Sequence, residues 1–364
     1  MIDKLFALSR PLLFALPPEE AHELTLRSLE RGLFPHDATA PDPSLRVRVA
    51  GLEFPNPVGI AAGFDKDARV PGAVLAMGCG FAEIGTVTPL PQSGNPKPRV
   101  FRLVNERAVI NRLGFNNEGH DAAHARLLKR QMNTGIVGVN IGANKDSLDR
   151  IADYVTGIAR FNDVASYFMV NISSPNTTGL RRLQDPASLD HLLTRVMAAR
   201  AALVAGGKPK RPIFVKIAPD IGEDEIDPIC AQLTAHGADG IAISNTTLSR
   251  PGLHGGVARE GGGLSGAPLF HRSTAMLARV HQATGGAIAL IGIGGINSGE
   301  TALEKIEAGA SLIQLYTGLI YHGGGLIAHI KAQLSVATAH AGATSIAGLS
   351  GRRAAEWAAK PLDA

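Results

Sequence analysis

Eight apolar, β-branched runs, helical stretches between them and a polar tip closing each run predict an α/β chain folded as a (β/α)8 TIM barrel, with a small N-terminal helical extension. The runs are Val58–Ala62, Phe81–Thr86, Ile136–Ile141, Tyr167–Ile172, Ile213–Ile217, Gly240–Ser244, Ala287–Ile293 and Leu312–Tyr316. Helical periodicity is readable over Asn117–Gln131, Ser188–Ala205, Glu223–His236, Ser298–Ala308 and Gly325–Thr338. A doubly wound sheet would gather its ligand loops at one switch point and would not place polar residues after every strand. A chain of 364 residues, 45% hydrophobic and 19% charged, is long enough for one large barrel.

The expected divisions are a helical docking segment over 1–40, the barrel over 41–350 and a tail over 351–364. In the first segment Leu5, Phe6, Leu8, Leu12, Leu13, Phe14 and Leu16 form a dense apolar set interrupted by Pro11. Pro17-Pro18-Glu19-Glu20 then opens a second helix, which Gly32 closes. His22, Leu26, Leu29 and Leu33 share one face, so a histidine sits at the end of a leucine stripe. Two short greasy helices must dock on something: either they pack shut against the barrel, or part of their apolar face stays open to lipid or a lipophilic ligand.

Leu45–Phe54 alternates like a hairpin able to plug one end of the barrel. Two insertions flank the other end. Val87–Gly114 contains Arg99–Val104, which alternates like an exposed antiparallel strand, and the Gly-rich Thr247–Leu264 carries Arg250 and His254 as an active-site lid would. A net charge of +4 with no basic stripe argues against nucleic acid and suits anionic ligands or an anionic membrane surface. Cys79 and Cys230 have no metal or redox spacing and read as reduced core thiols of a cytosolic protein. No stretch is long and apolar enough to span a membrane, and the start is neither a signal nor a transit peptide.

The strand tips carry Gly63-Phe64-Asp65-Lys66, Thr86, Asn140, Asn171, Lys216, Ser244-Asn245-Thr246, Gly294-Gly295 and Tyr316-Thr317, which this fold gathers into one pocket at the C-terminal ends of its strands. Glycine turns ending the last two strands mark a phosphate site. Lys216, ending a central strand, is costly to bury unless it faces an anion; the alternative is a structural carboxylate, and no acid precedes it in its strand. Lys66 sits between Asp65 and Asp67, where a solvated charge run is the ordinary alternative. Asparagines 111, 140, 171, 176 and 245 offer paired donors and acceptors suited to a planar, amide-rich heterocycle, although each alone is a common turn former. In Asn171-Ile172-Ser173-Ser174-Pro175-Asn176-Thr177-Thr178, Pro175 keeps Ser174 out of the helical region and presents its hydroxyl on a rigid backbone.

With Ala61-Ala62-Gly63-Phe64-Asp65-Lys66, Asn111-Arg112-Leu113-Gly114-Phe115-Asn116-Asn117, the Ser174 segment, Ser244-Asn245-Thr246-Thr247 and the two glycine turns in this order, the chain resembles the dihydroorotate dehydrogenases over nearly all of residues 1–350. Serine rather than cysteine at 174, and the helix containing Ala21-His22-Glu23, resemble class 2, the quinone-dependent, membrane-associated branch. The resemblance implies FMN as cofactor, no metal, oxidation of dihydroorotate to orotate in de novo pyrimidine (UMP) synthesis and a membrane quinone as acceptor. It also implies a peripheral position on the cytoplasmic side of the cell membrane; we expect a monomer. FMN would be held by Ala62, Gly63, Phe64, Asp65, Lys66, Thr86, Asn140, Asn171, Lys216, Ser244, Gly266, Gly295, Tyr316 and Thr317. Dihydroorotate would be held by Lys66, Asn111, Arg112, Leu113, Gly114, Phe115, Asn171, Asn176, Asn245 and Thr246, with Ser174 as catalytic base and His22 and Arg102 at the quinone site. Thr178 stands where proline is usual, and Ser244 where threonine is frequent. Serine is a poor base in water, so Ser174 needs a relay through Thr177 or a bound water, and exclusion of bulk solvent.

Overall fold

Strands buried on both faces must be continuous apolar runs, and the runs read from the sequence become the parallel strands of a closed barrel. They are β1 (Val58–Asp65), β2 (Phe81–Val87), β3 (Ile136–Ile141), β4 (Tyr167–Asn171), β5 (Ile213–Ile217), β6 (Gly240–Ile243), β7 (Ala289–Ile293) and β8 (Leu312–Leu315), paired in chain order with β8 returning to β1. The computed structural model describes residues 2–130, 135–250, 252–253 and 255–362; Gln131, the expected end of one helix, and His254 of the expected lid lie outside them. Helices Gly119–Lys129, Pro186–Ala205, Glu223–Ala235, Gly299–Glu307 and Gly325–His340 occupy the stretches with helical periodicity.

The lower half of the barrel is filled with rings. Phe81, Tyr167 and Phe214 stack edge to face across β2, β4 and β5, with centroids 6.4 and 5.3 Å apart. Gly138 is bare because a Cβ there would lie 2.1 Å from the Tyr167 ring. Beneath them the hairpin Val47–Val49/Leu52–Phe54 drives the fully buried Phe54 against Phe81 at 5.3 Å, so this end is plugged and ligands must enter from the other.

The two insertions are not independent. Val100–Leu103, Ala108–Asn111 and Gly263–Gly266 form one antiparallel sheet over the C-terminal rim, with Ala108–Asn111 in the middle. The segment read as an exposed strand is therefore half-buried, and the expected lid contributes a paired strand at its distal end. Residues beyond 350 also pack inward: Trp357 on the short helix Ala354–Ala358 is buried against Phe270 at 5.9 Å.

At the N-terminus α1 (Ile2–Ala15) continues through Pro11, and α2 (Pro18–Glu30) stops where Gly32 takes φ +75° and the Leu33 N–H turns back to the Ser28 carbonyl at 2.9 Å. Leu33 thus falls beyond the helix and is 69% exposed, so the stripe read from the sequence holds only as His22, Leu26 and Leu29. Ion pairs peg α2 to the barrel: Glu19 to Arg99 at 2.9 Å, and Glu23 and Glu30 to Arg69 at 2.8 and 2.7 Å. Arg102 donates to the carbonyls of Leu13, Phe14 and Leu16 at the end of α1. Among the described residues no helix is long and apolar enough to cross a membrane.

Candidate active site

Above the aromatic layer the barrel interior turns polar around a buried carboxylate. Glu83 in β2 is 2% exposed; it accepts from Asn140 Nδ2 at 2.9 Å, Tyr167 Oη at 2.9 Å and Gln314 Nε2 at 2.8 Å. Because all three partners donate to it, it fixes the orientation of the amides joined to it above. Asn140 spends its Nδ2 on Glu83, so its Oδ1 takes the Thr86 hydroxyl at 2.6 Å, and the Thr86 oxygen accepts from Asn171 Nδ2 at 2.9 Å. Asn171 Oδ1 is then left to accept from the Ser173 backbone and hydroxyl at 3.2 and 3.0 Å, and the Ser173 oxygen accepts from Asn245 Nδ2 at 2.9 Å. One acid at the floor thus orients asparagines on two strands and in the loop after a third.

Lys216 lies beside Asn171 in the ladder, is 5% exposed and makes no hydrogen bond or ion pair among the described residues. Burial pushes its ammonium pKa down, and the negative charge of Glu83 opposes that. The structural carboxylate that its own strand lacks is therefore supplied electrostatically from β2. Gln314 Oε1, also at the floor, is buried without a partner. An amine and an amide oxygen left unsatisfied at the bottom of a cavity fit a flat heterocycle edged with carbonyls and N–H groups.

Around this floor opens one continuous cavity of about 950 Å³. It takes in Ala62, Gly63, Phe64, Lys66, Thr86, Asn171, Lys216, Ser244, Gly266, Gly295, Tyr316 and Thr317, the residues expected to hold a flavin, and Asn111, Leu113, Gly114, Phe115, Ser174, Asn176, Asn245 and Thr246 on the side expected to hold a substrate. Three expected residues do not line it. Asp65 is 2% exposed and turns away to accept from the Arg69 and Val70 N–H groups, shaping the loop after β1. Asn140 sits one layer below, as the amide that aims Thr86. Arg112 points outward, paired with Glu260 at 2.7 Å and lying over the Phe101 ring, where it ties the two insertions together.

Ser174 is 6% exposed and accepts from the Asn176 N–H at 3.3 Å. Asn176 Nδ2 donates to the Asn111 carbonyl at 3.0 Å, which joins the serine loop to the first insertion. The Thr177 hydroxyl is buried without a partner, and no hydrogen bond joins it to Ser174 among the described residues. Lys66 lines the same cavity; burial lowers its pKa, with Asp67 and Glu19 opposing.

From Phe64 and Tyr316 the cavity extends between α1 and α2, past Phe6, Leu13, Phe14, Leu24 and Leu29, so the helices are clamped to the barrel without packing shut against it, and part of their apolar face stays open as the second alternative has it. His22 stands at the inner end of this tunnel, 5.7 Å from the Phe64 ring and 6.3 Å from the Tyr316 ring. Burial, helped by the positive charge of Lys66, holds its imidazole neutral, with a pKa lowered to about 3. Arg102 also borders the tunnel, lying 4.9 Å over the Phe14 ring.

The family model described as dihydroorotate dehydrogenase matches residues 44–337. The chain belongs to the dihydroorotate dehydrogenase family. It is 59% identical over 358 residues, 98% of each chain, to a protein of Brucella anthropi named dihydroorotate dehydrogenase (quinone), and 58% identical over 356 residues to its namesake in Brucella ovis, again 98% of each. Among solved structures it is similar to the enzyme of Eimeria tenella in complex with ferulenol, with TM-score 0.88, 37% identity and coverage of 94% and 98% of the two chains. The ligand-free form from that organism gives 0.87, 38%, 92% and 99%.

Sequence reasoning did not single out Glu83, Tyr167, Gln314 or Asp220. Glu83 could have been found as a lone acid inside an otherwise apolar strand. Asp220 carries a weaker signal: it accepts from Arg181, whose other nitrogens donate to the Ser173 and Thr246 carbonyls at 3.0 Å each, a junction no local pattern announces.

Proposed function

We infer that this chain is a class 2 dihydroorotate dehydrogenase, oxidising (S)-dihydroorotate to orotate in pyrimidine synthesis and passing the electrons to a quinone. The observation that carries this reading is the single cavity with two chemically different ends, amide-rich at the strand tips and apolar between α1 and α2. FMN would be held by Lys216, Gln314, Gly266, Gly294, Gly295 and Thr317, all of which line the cavity, and would supply the hydride acceptor.

Forming the ring double bond of orotate removes a proton from one carbon and a hydride from its neighbour, so base and acceptor must face that bond from different sides. Ser174 Oγ takes the proton from the substrate carbon as its own hydroxyl proton passes to a water beside Thr177; the Asn176 N–H directed at that oxygen stabilises the negative charge that builds on it while its own proton leaves. Asn111, Asn176 and Asn245 hold the ring amides; Asn245 is held in turn by the chain of contacts rising from Glu83, and Asn176 by Asn111 and Asn95. Lys66 meets the substrate carboxylate, and Lys216 offsets charge gathering on the reduced acceptor. Quinone enters through the tunnel with its carbonyl end at His22 and Arg102 and its tail along the leucines. Leu8 and Leu12, 78% and 72% exposed one helical turn apart, support docking of α1 on a membrane surface, which we place on the cytoplasmic side, with the protein a monomer. The test is acceptor choice. Dihydroorotate should be oxidised with a short-chain ubiquinone and not with fumarate or a nicotinamide dinucleotide; the reverse preference would refute the reading.

A further inference from the structure

Lys305, on the helix Gly299–Glu307, is fully buried and takes no part in the reaction described above. Its amine donates to Ser273 Oγ at 2.6 Å and lies 5.2 Å over the Phe270 ring. No carboxylate stands within ion-pair distance among the described residues; burial pushes the amine pKa well down, and the charge of Glu304 on its own helix opposes that. An ammonium buried against one neutral hydroxyl and a ring is costly, so an anion nearby is what would favour the charged form.

The pair sits directly behind a glycine turn. A Cβ on Gly292 would lie 3.3 Å from Lys305 Cδ, and one on Gly294 2.9 Å from Ser273 Oγ, so both glycines leave room for it. Ser273 Oγ shares its proton among the Leu269, Phe270 and Gly294 carbonyls at 2.8, 3.2 and 3.3 Å. In a trans peptide the carbonyl and the next N–H point opposite ways, so a Gly294 carbonyl turned back to Ser273 sends the Gly295 N–H toward the cavity. Gly294 and Gly295 both line that cavity.

We propose that Lys305 is a positioning residue and counter-charge for the anionic tail of the flavin ligand: through Ser273 it holds the Gly294–Gly295 turn with its N–H forward, and its ammonium stabilises a phosphate seated on the open face. The proposal rests on reading the cavity as an FMN site. It explains why a lysine is buried on the far side of a phosphate turn, where a leucine of similar volume would pack at no electrostatic cost.

The experiment compares FMN with riboflavin, which lacks the phosphate. Full-length wild-type, Lys305→Met and Lys305→Arg proteins are loaded with either flavin and diluted, and Kd is read from the recovery of free-flavin fluorescence. Lys305→Met should weaken FMN on the order of tenfold and riboflavin less than twofold, and Lys305→Arg should keep part of the preference for FMN. Ser273→Ala should weaken FMN in the same selective sense and serves as the test if Lys305→Met does not fold. Equal weakening of both flavins in the folded variants, or no weakening, would overturn the proposal. Wild-type protein unable to hold either flavin would instead refute the cavity reading and the proposal with it.

Discussion

Replacing Ser174 by alanine removes one oxygen from a site that is 6% exposed and otherwise changes little. The lost hydroxyl accepts only the Asn176 N–H, at the long distance of 3.3 Å, so the stability cost should be about 1 kcal/mol, the net worth of one weak buried hydrogen bond. Catalysis is affected far more. Positioned general-base action contributes roughly 10²- to 10⁴-fold, or about 3–5 kcal/mol of barrier, and no other titratable side chain beside Ser174 on its loop can take the proton. The Gly294–Gly295 turn lies on a different strand, so flavin content should stay at the wild-type level. Anaerobic stopped-flow mixing with dihydroorotate should therefore show flavin bleaching slowed by at least about 10²-fold, while reoxidation of chemically reduced enzyme by a quinone analogue is unchanged. Ser174→Cys should recover part of the rate. Bleaching of Ser174→Ala within a few-fold of wild type would refute the assignment of the base, and an equal loss in both half-reactions would show that the substitution acts through the fold.

Lys216→Met should lower flavin content and slow bleaching, because it removes the amine facing the cavity floor; unchanged flavin content and kinetics would make this lysine structural. Arg102→Met frees the end of α1 from three carbonyl contacts and should weaken quinone reduction, read as a raised KM for a short-chain quinone, while leaving dihydroorotate bleaching intact. Stability should fall on acidification. His22 and His120 are held to about 3 and about 4 from an ordinary 6.5, so below 6.5 the unfolded chain binds the extra protons, and the loss levels off only beneath the folded values. At about pH 5 this amounts to no more than about 2 kcal/mol for each histidine, visible as a drop in Tm that His120→Gln should reduce; a Tm indifferent to this pH range would contradict it.

The barrel was legible because strands buried on both faces must be unbroken apolar runs; each of the eight was readable, with ends shifted where polar tips blur the boundary, by one residue at β6 and β8 and by three at β1. Ser174, Asn176 and Lys216 were legible for a related reason, since polar side chains at the end of a buried strand have to face something. Asp65, Asn140 and Arg112 were placed with the ligands although none lines the cavity, because a motif fixes a residue's position along the chain and not the direction of its side chain. Asp65 is consumed by its own loop, Asn140 by Glu83, and Arg112 by Glu260. The pairing of the two insertions was invisible for a different reason: Gly263–Gly266 has too little apolar pattern to announce a strand and gains its place only by pairing with Ala108–Asn111. The acids of α2 illustrate the same limit. In the sequence Glu19 reads only as an acid opening the helix, whereas Glu19, Glu23 and Glu30 peg the helix to Arg99 and Arg69 and hold the tunnel roof in place.

The central claim is that one cavity serves two substrates from opposite ends, and a two-step anaerobic titration tests it most directly. Purified protein should carry a flavin whose visible absorbance bleaches stoichiometrically with dihydroorotate and returns on adding a quinone analogue. Orotate should compete with the first step only, and an apolar ligand of the tunnel with the second only. Bleaching that fails with dihydroorotate, or orotate and the tunnel ligand each blocking both steps, would contradict the account.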